Sequence, residues 1–424
     1  MIKRKLFKEL KAHLSRKEIS FIVGPRQAGK TTLMLLLKDY LEKKGEKTLF
    51  LNLDIEEDKE FFSSQSRLVK KIELEIGEQK GFIFIDEIQR KENAGLFLKG
   101  IYDMNLPHKF ITSGSGSVEL KEKIHESLVG RKRLFELSTL SFEEFTNFRT
   151  EYKYENRLAD FFSVESSRVY DLLEEYLNFG GYPRIVLEKE LIEKRKVMNE
   201  IYQSYIERDI YYLLKIQKTE AFSNLVKVMA VQIGSLVNLS ELSSTLGISV
   251  KTVKDYLWYL EKTFIIQRIS PYFKNIRKEI TKSPIFYFYD LGLRNFASGD
   301  FGGLKDMGFV FQNFVFNVLK EKIKMSSSKI CFWRTKDKAE VDFVIDSGKG
   351  LIPVEAKYKK LTIPKIPRAL RSFVDKYKPG KALVVNLTLD TTIYINRTEI
   401  LFIPFFRILE NRLFESGAKV GSKD

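Results

Sequence analysis

The sequence contains very few side chains that form covalent crosslinks or bind transition metals. Its 424 residues include one cysteine, Cys331, and three histidines, His13, His108 and His125, which are scattered without the spacing of metal ligands. One cysteine cannot form an intramolecular disulfide, and these four side chains cannot build a zinc cluster. A disulfide-stabilised fold and a zinc-binding module are therefore excluded.

Long apolar segments are absent as well. No uninterrupted apolar run reaches the roughly 18 residues that a membrane-spanning helix needs. The opening residues, MIKRKLFKELKAHLSRKE, carry repeated charges where a signal peptide would be apolar. We therefore expect a soluble, cytoplasmic protein with no membrane partner. Its length predicts about two to four domains, packed together because no low-complexity linker separates them.

Positive charge is unevenly distributed along the chain, whose net charge is +16. Residues 1–220 carry 39 basic and 37 acidic side chains, whereas residues 221–424 carry 33 and 19, which together make the 72 and 56 of the whole chain. A basic half-molecule is typical of a surface that binds a polyanion such as DNA, because phosphate neutralisation releases counterions. The alternative is a lysine-rich surface that serves solubility or stability at high temperature.

Strands and helices alternate in the first 145 residues. Four strand-like runs are separated by helical patterns, at residues 19–23, 48–54, 81–87 and 109–115. This alternation predicts an α/β fold with a parallel sheet covered by helices on both faces. Strand 48–54 separates the first strand from the third in sequence, and we expect strand 81–87 to lie next to strand 19–23 in the sheet.

The first strand leads into GPRQAGKT, which matches the spacing G-x-x-x-x-G-K-[ST] at Gly24, Gly29, Lys30 and Thr31. Such a loop points backbone N–H groups inward at the start of a helix, where they bind phosphate. Lys30 would reach the outer phosphates of ATP, and the Thr31 hydroxyl would bind Mg²⁺. The residues expected to bind nucleotide are Gly24, Pro25, Arg26, Gln27, Ala28, Gly29, Lys30, Thr31, Thr32 and Asp86. The alternative is a glycine-rich turn without a ligand.

Acidic and hydroxyl side chains follow the next buried strands. Asp86 ends the run GFIFID, where a phosphate-loop fold needs an acid to hold magnesium through water. Glu87 is the candidate base that orients and deprotonates the attacking water. Ser113, with Thr112 and Ser115 beside it, is a candidate contact to the γ-phosphate or to that water. The alternative is that these polar residues merely terminate two strands.

Two arginines in SLVGRKRL, Arg131 and Arg133, are candidates for stabilising charge on the transferring phosphate. Either would act within its own chain or on a neighbouring subunit of a homo-oligomer. The more ordinary interpretation is a pair of surface arginines.

After residue 145 the patterns are mainly helical, and a helix-turn-helix pattern with a following strand covers residues 240–273. Ser240 and Ser249 are expected N-caps, and Gly247 is expected in the turn. The second helix, 249–262, would read DNA with outward side chains, and further basic residues would contact phosphates. The outward side chains are Lys251, Thr252, Lys254 and Asp255. The further basic residues are Arg268, Lys274, Arg277 and Lys278. The alternative is a rigid spacer between domains.

A pair of carboxylates is predicted on a hairpin in AEVDFVIDSGKGLIPVEAKY. If residues 347–350 form the loop, Asp342 lies opposite Glu355, and Glu340 lies opposite Lys357. All four then share one face, because strand side chains alternate with a period of two. Facing carboxylates repel each other, so a shared divalent cation or a nearby lysine would stabilise the pair.

Several motifs together resemble a known family. GPRQAGKTT, FIDEIQ, TSGS, SLVGR, LSFEEF, GGYPR and YIERDI, in that order, resemble archaeal and bacterial AAA+ class ATPases that carry a C-terminal restriction-endonuclease-like domain. The resemblance implies an Mg²⁺-dependent ATPase core at 1–145, a helical lid at 146–220, a winged helix at 221–278 and a mixed α/β nuclease-like domain at 279–424.

The nuclease-like part of the resemblance concerns the hairpin. PD-(D/E)xK nucleases bind magnesium with an aspartate and a following glutamate and stabilise charge with a lysine, which here implies Asp342, Glu355 and Lys357. Gln312 stands where that fold usually adds an acid from a helix, and a neutral amide is a weaker magnesium ligand.

Three functions are compatible with the sequence. The first is an ATP-driven AAA+ protein that engages DNA through its basic C-terminal half. The second is a nucleotide-controlled switch or scaffold that binds a protein partner, in which case DNA affinity would hardly depend on salt. The third is a nuclease gated by ATP.

Overall fold

The computed structural model describes residues 2–115, 127–205, 219–273 and 282–410. Its residues cluster into two compact units, each built from separated segments. Unit 1 comprises Met1–Phe148, Gly181–Ser223 and Lys251–Ile265, and unit 2 comprises Arg149–Gly180, Asn224–Val250 and Ile266–Asp424. The predicted division at residues 145, 220 and 278 stays a prediction.

The helices of the described residues are mostly short. They are α1 (Leu6–Ala12), α2 (Lys30–Glu42), α3 (Glu56–Glu60), α4 (Gln65–Ile76), α5 (Ala94–Asp103), α6 (Phe142–Arg149), α7 (Leu158–Val164), α8 (Ser166–Phe179), α9 (Pro183–Leu187), α10 (Leu191–Gln203), α11 (Thr219–Val231), α12 (Leu239–Leu246), α13 (Val250–Lys262), α14 (Leu291–Ser298), α15 (Met307–Ile323) and α16 (Arg368–Tyr377).

The strands fall in two groups, before and after the central helical region. They are β1 (Ile19–Gly24), β2 (Thr48–Asn52), β3 (Phe82–Asp86), β4 (Lys109–Ser115), β5 (Lys132–Glu136), β6 (Ile266–Ile269), β7 (Ile285–Phe288), β8 (Lys329–Arg334), β9 (Glu340–Asp346), β10 (Leu351–Ala356), β11 (Lys381–Asn386), β12 (Thr391–Ile395) and β13 (Thr398–Pro404). Where it is described, the region between β5 and β6 contains helices, as its sequence pattern predicts.

Unit 1 contains a parallel sheet of five strands in the order β2-β3-β4-β1-β5. The predicted parallel α/β fold is confirmed, and all four predicted strands are present. The expectation that the acid-bearing strand lies next to β1 is wrong, because β4 lies between β3 and β1. Helical crossovers allow consecutive strands to be separated in the sheet, so sequence order alone does not determine adjacency.

The core of unit 1 lies between this sheet and the apolar face of α2. Leu33, Leu37 and Leu41 recur at helical spacing and are at most 3% exposed. They pack in one cluster with strand residues such as Ile22 and Phe84, which are fully buried. Each such side chain contributes about 1.5–3 kcal/mol by leaving water. This packing holds the amino terminus of α2 against the carboxyl end of β1.

Unit 2 contains a mixed sheet of six strands in the order β12-β13-β11-β10-β9-β8. The two strands of the predicted hairpin correspond to β9 and β10. Helix α16 packs Phe373 against this sheet, edge-on to Trp333. The mixed α/β character predicted for the C-terminal part is confirmed.

The helix-turn-helix pattern is present as α12, a turn at Gly247 with φ 62°, and α13, followed by β6. Ser240 is not the N-cap of α12, because it lies inside the helix and the Asn238 side chain accepts the N–H groups of Ser240 and Glu241. Helices α12 and α13 belong to different units, and a winged helix stays a prediction. Lys274, Arg277, Lys278 and most of the YIERDI motif lie outside the described residues.

In the part of the chain that the structure describes, no helix combines the length and apolar character that crossing a membrane would require.

A buried amide joins α15 to β7 in unit 2. Asn313 is fully buried, its Oδ1 accepts the Phe288 N–H at 2.8 Å, and its Nδ2 donates to the Phe288 carbonyl at 2.8 Å. We expect Asn313→Ala to lower the free energy of unfolding by about 2–3 kcal/mol, because the buried Phe288 N–H loses its partner. Urea titration measures this loss. Ser372→Ala, on exposed α16 surface, is the control with an effect within about 0.5 kcal/mol; equal effects would contradict the prediction.

Candidate functional site

The turn after β1 requires glycine at two positions. A side chain at position 24 would collide with the carbonyl oxygen of Leu137. Gly29 has φ 93° and ψ 29°, a left-handed conformation that residues with a Cβ rarely adopt. Residues 24–31, which we call the phosphate loop, run directly into the amino terminus of α2, where unpaired N–H groups favour an anion.

The remaining predicted loop residues lie on the same turn. Pro25 and Ala28 are buried, Arg26 and Gln27 are partly exposed, and Thr32 is exposed on the first turn of α2. Lys30 is only 6% exposed, and its ammonium group donates to the carbonyls of Gly24 at 3.1 Å and Pro25 at 2.8 Å. Phosphate oxygens are stronger acceptors than carbonyls for an ammonium group, so the loop fits an anion.

The Asp86 carboxylate brings three elements together at the carboxyl edge of the sheet. It is 1% exposed, and it accepts the Thr31 hydroxyl from α2 at 2.6 Å. It also accepts the Ser113 hydroxyl from β4 and the Glu87 N–H, the latter at 3.1 Å. The predicted site residues Thr31, Asp86 and Ser113 are thus in hydrogen-bond contact, and their side-chain oxygen atoms are the ligand type that magnesium prefers.

Glu87 has the features expected of a general base. Its φ of 54° and ψ of 40° place it in the left-handed region, which is uncommon for this residue type and is found at functional sites. Burial raises the pKa of its carboxyl group, while the Lys30 ammonium opposes this shift. The Gln89 amide donates to the Glu87 carboxylate. A raised pKa increases the basicity of the carboxylate, and the amide restrains its orientation.

Arg131 does not reach the phosphate loop of its own chain. Its carbonyl accepts the Ile19 N–H, so it lies at the amino edge of the sheet, opposite the edge that carries the loop. Its guanidinium donates to Asp103 at 2.8 Å and 3.4 Å. Arg133 pairs with Ser20 near the same edge. Both arginines thus lie at the edge of the sheet opposite the phosphate loop, and their action on a transferring phosphate, within the chain or on a neighbouring subunit, stays a prediction.

A different arginine, which the sequence analysis did not assign, reaches the loop. Arg184, on α9, donates through Nη1 to Gln27 Oε1 at 3.0 Å and to Glu200 Oε2 at 2.9 Å. Its side chain is about half exposed. GGYPR is one of the motifs that resemble the AAA+ family, but the position of its arginine beside the loop depends on tertiary structure.

The C-terminal hairpin has the predicted register. Asp346 faces Leu351 and Phe343 faces Val354, which is the last pair of this ladder; the same register continued by one residue would place Asp342 opposite Glu355. The Ala356 N–H donates to Asp342 Oδ2 at 2.8 Å. The predicted register of the hairpin is confirmed over residues 343–346 and 351–354, and the metal roles of Asp342 and Glu355 stay a prediction.

Two further side chains complete this second cluster. Gln312 donates through Nε2 to Asp342 Oδ1 at 2.7 Å, and Lys357 Nζ lies 2.8 Å from Glu355 Oε2. Burial raises the pKa of Glu355 to about 8, with a further rise from the Asp342 charge and an opposing effect of Lys357. Burial also raises the pKa of Asp342. We call these four residues the carboxylate cluster.

Three buried oxygen atoms in or near the carboxylate cluster have no hydrogen-bond partner. They are Gln312 Oε1, Glu355 Oε1 and the hydroxyl oxygen of Tyr287. Tyr287 packs against Phe343 of the same hairpin. Buried polar atoms are nearly always paired, so these atoms fit a water molecule or a hard cation. Among the residues described, however, no three His, Cys, Asp or Glu side chains are grouped as metal ligands.

Protein-family comparison divides the chain into three matched segments. A family described as an AAA domain matches residues 16–146, which contain the five-stranded sheet and the phosphate loop. Two further families, each described as a domain of unknown function, match residues 170–302 and 307–406. Residues 16–146 are therefore similar to AAA domains.

Curated relatives share most of the chain at low identity. An uncharacterized protein of Haemophilus influenzae is 25% identical over 354 residues, covering 80% of this chain and 82% of its own. One of Mycobacterium tuberculosis is 26% identical over 370 residues, covering 86% and 75%. One of Methanocaldococcus jannaschii is 27% identical over 360 residues, covering 82% and 76%. The similarity extends over both units.

Solved structures show a weaker likeness. The Aeropyrum pernix ORC1 protein in complex with DNA is 14% identical with a TM-score of 0.33, covering 71% of this chain and 93% of its own. AMPPCP-bound DnaA from Aquifex aeolicus is 16% identical with a TM-score of 0.25, covering 61% and 86%. TM-scores this low do not establish a shared overall fold.

Proposed function

We propose that the chain is an AAA+ ATPase that binds ATP with Mg²⁺ at the phosphate loop and hydrolyses it. The observation that carries this proposal is the meeting of Thr31, Asp86 and Ser113 through hydrogen bonds, directly beside Lys30 and the amino terminus of α2. A glycine-rich turn without a ligand would not need a buried lysine turned onto its carbonyls or a buried carboxylate shared by three elements.

Each residue at this edge has a distinct role in the proposed reaction. Lys30 and the N–H groups of the loop bind the phosphates, and Thr31 and Asp86 hold the magnesium ion, which would offset phosphate charge. Glu87, oriented by Gln89, accepts the proton of the attacking water.

Two further side chains would contact the transferring phosphate in this proposal. The Ser113 hydroxyl, at the end of β4, contacts the γ-phosphate or the attacking water. Arg184 lies beside the loop and provides the positive charge that the sequence analysis expected from Arg131.

Lys30→Ala is expected to reduce ATP hydrolysis by roughly a hundredfold or more, because the ammonium group that binds the outer phosphates is lost.

Glu87→Gln should keep ATP affinity while lowering kcat by roughly a hundredfold, because an amide cannot accept the proton. Phosphate release and fluorescent-nucleotide titration measure the two quantities.

Lys38→Ala is the matched control for Lys30, because Lys38 lies on the same helix and pairs only with Glu42 among the contacts that the structure records for it. It should leave both quantities unchanged. Full-rate hydrolysis by Glu87→Gln would show that another group is the base, and wild-type protein without ATP affinity would contradict the proposal itself.

We further propose that nucleotide turnover is coupled to DNA binding by the basic second half of the chain. The excess of 33 basic over 19 acidic side chains in residues 221–424 supports this proposal. Lys251 and Lys254 are exposed on α13, the predicted reading helix. A homo-oligomer, in which Arg131 contacts a neighbouring subunit, belongs to the same proposal.

Affinity for duplex DNA should fall linearly on a plot of log affinity against log salt concentration, because bound phosphates release counterions. Filter binding across a salt series measures the slope. Reversing charge at Lys251 and Lys254 should reduce it by about one to two units. The same change at Lys43 and Lys44, which are exposed after α2 in the first half of the chain, is the matched control. An affinity independent of salt would favour the alternative, a nucleotide-controlled scaffold for a protein partner.

A second candidate function is metal-dependent cleavage of DNA at the carboxylate cluster. The unpaired buried oxygens of Gln312 and Glu355, beside Asp342 and Lys357, favour it. In that reaction, water would form a new P–O bond while the P–O bond to one sugar oxygen breaks; the water gives up a proton, the leaving sugar oxygen takes one up, and Lys357 lies near the developing charge.

Asp342→Ala should abolish Mn²⁺-dependent plasmid nicking, whereas Gln312→Glu should increase it by supplying the missing acid. Asp375→Ala, which changes an exposed carboxylate on α16, is the control and should nick at the wild-type rate. If wild type and Asp342→Ala nick the plasmid at equal rates, this function is ruled out, and unit 2 is left with a binding role.

A further inference from the structure

We propose that Arg4, in the segment that precedes α1, is a positioning residue for the phosphate loop. This inference rests on the proposed nucleotide binding and adds to it a residue that lies outside residues 16–146, the segment similar to AAA domains. Arg4 would act through the backbone of the loop, without contacting the nucleotide.

The Arg4 side chain is buried and connects three segments of unit 1. Its guanidinium donates through Nη1 to the Ala28 carbonyl at 2.8 Å and through Nη2 to the Ser138 carbonyl at 2.6 Å. Its Nε donates to Glu144 Oε1 at 3.2 Å. The side chains of Arg4 and Glu144 are 7% and 8% exposed. Both side chains are thus largely covered by protein, although the bond from Arg4 to the Ser138 carbonyl is exposed.

The contact to Ala28 determines how the loop presents a donor. The peptide between Ala28 and Gly29 is planar and trans, so the Ala28 carbonyl and the Gly29 N–H point in opposite directions. A guanidinium that holds the carbonyl on one side turns the N–H to the other. A phosphate loop binds its anion with inward N–H groups, which requires carbonyls such as this one to face away from the anion.

Glu144 is itself held in place by the backbone. Its carboxylate accepts the Lys5 N–H at 2.7 Å and the Ser141 N–H at 3.1 Å, and its own N–H donates to the Ser141 hydroxyl at 3.3 Å. The last two bonds form a capping box at the start of α6. Arg4 is thus fixed by a carboxylate whose position is set by a helix terminus, which makes the guanidinium a rigid support for the loop.

Preorganised donors bind an anion more tightly than donors that must be ordered on binding. Arg4→Met removes the support while keeping a similar side-chain length, and we expect it to weaken ATP binding by about tenfold. Inorganic pyrophosphate should lose affinity by the same factor, because the defect lies at the phosphates. Arg4→Lys should recover part of the loss, since an ammonium group can still donate to one carbonyl.

The measurements are the Kd for a fluorescent ATP analogue, competition by pyrophosphate, and kcat and KM for ATP hydrolysis, at a temperature where circular dichroism shows every variant folded. KM should rise with Kd, while kcat changes less, because the base Glu87 is untouched. Arg149→Met is the matched control: Arg149 forms a two-bond pair with Glu175 at 2.6 Å and 3.2 Å, and both residues lie in unit 2.

The inference is overturned if Arg4→Met binds ATP and pyrophosphate as wild type does, or if Arg149→Met weakens both to the same extent. Loss of ATP affinity with unchanged pyrophosphate affinity also overturns it. If Arg4→Met does not fold, Arg4→Lys and Glu144→Gln decide the question by the same readouts. A wild-type protein that binds no nucleotide would instead overturn the proposed function.

Discussion

The Asp86 carboxylate is the group on which the arrangement of the first site depends. A buried charge is costly unless hydrogen bonds compensate it, and Asp86 receives donors from α2, from β4 and from the next backbone N–H. These bonds hold the start of α2 against the ends of two strands. The interaction that stabilises this edge of the sheet therefore also places the lysine, the hydroxyls and the base around one point.

The acidic side chains of the carboxylate cluster in unit 2 have fewer of their hydrogen bonds formed than Asp86 has. Asp342 is paired with the Gln312 amide and a backbone N–H, but Glu355 keeps one oxygen without a partner, and burial raises its pKa to about 8. Unpaired buried acceptors cost free energy and are uncommon away from sites that bind a ligand. The two acidic sites therefore differ: hydroxyl and N–H groups donate to Asp86 in unit 1, whereas one oxygen of Glu355 in unit 2 has no hydrogen-bond donor.

How much of each site could be predicted depends on the range of the interactions. The phosphate loop, the strand that ends at Asp86 and the register of the β9–β10 hairpin follow from spacing and periodicity within short segments. The position of β4 between β3 and β1 does not, because adjacency depends on crossovers. Arg4 resembles a surface residue among basic neighbours, and only the fold shows its guanidinium bonded to the Ala28 carbonyl.

The sequence by itself determined the chemistry of the loop, because Gly29, Lys30 and Thr31 act through backbone torsion and side-chain type, which are local properties. It also determined the α/β class of unit 1 through the alternation of apolar periods. Tertiary structure alone decided which side chains join the loop: Ser113 and Arg184 approach it, whereas Arg131 lies at the opposite edge of the sheet. The physical reason is that strand order and side-chain direction are set by packing between segments distant in the chain, which no short pattern encodes.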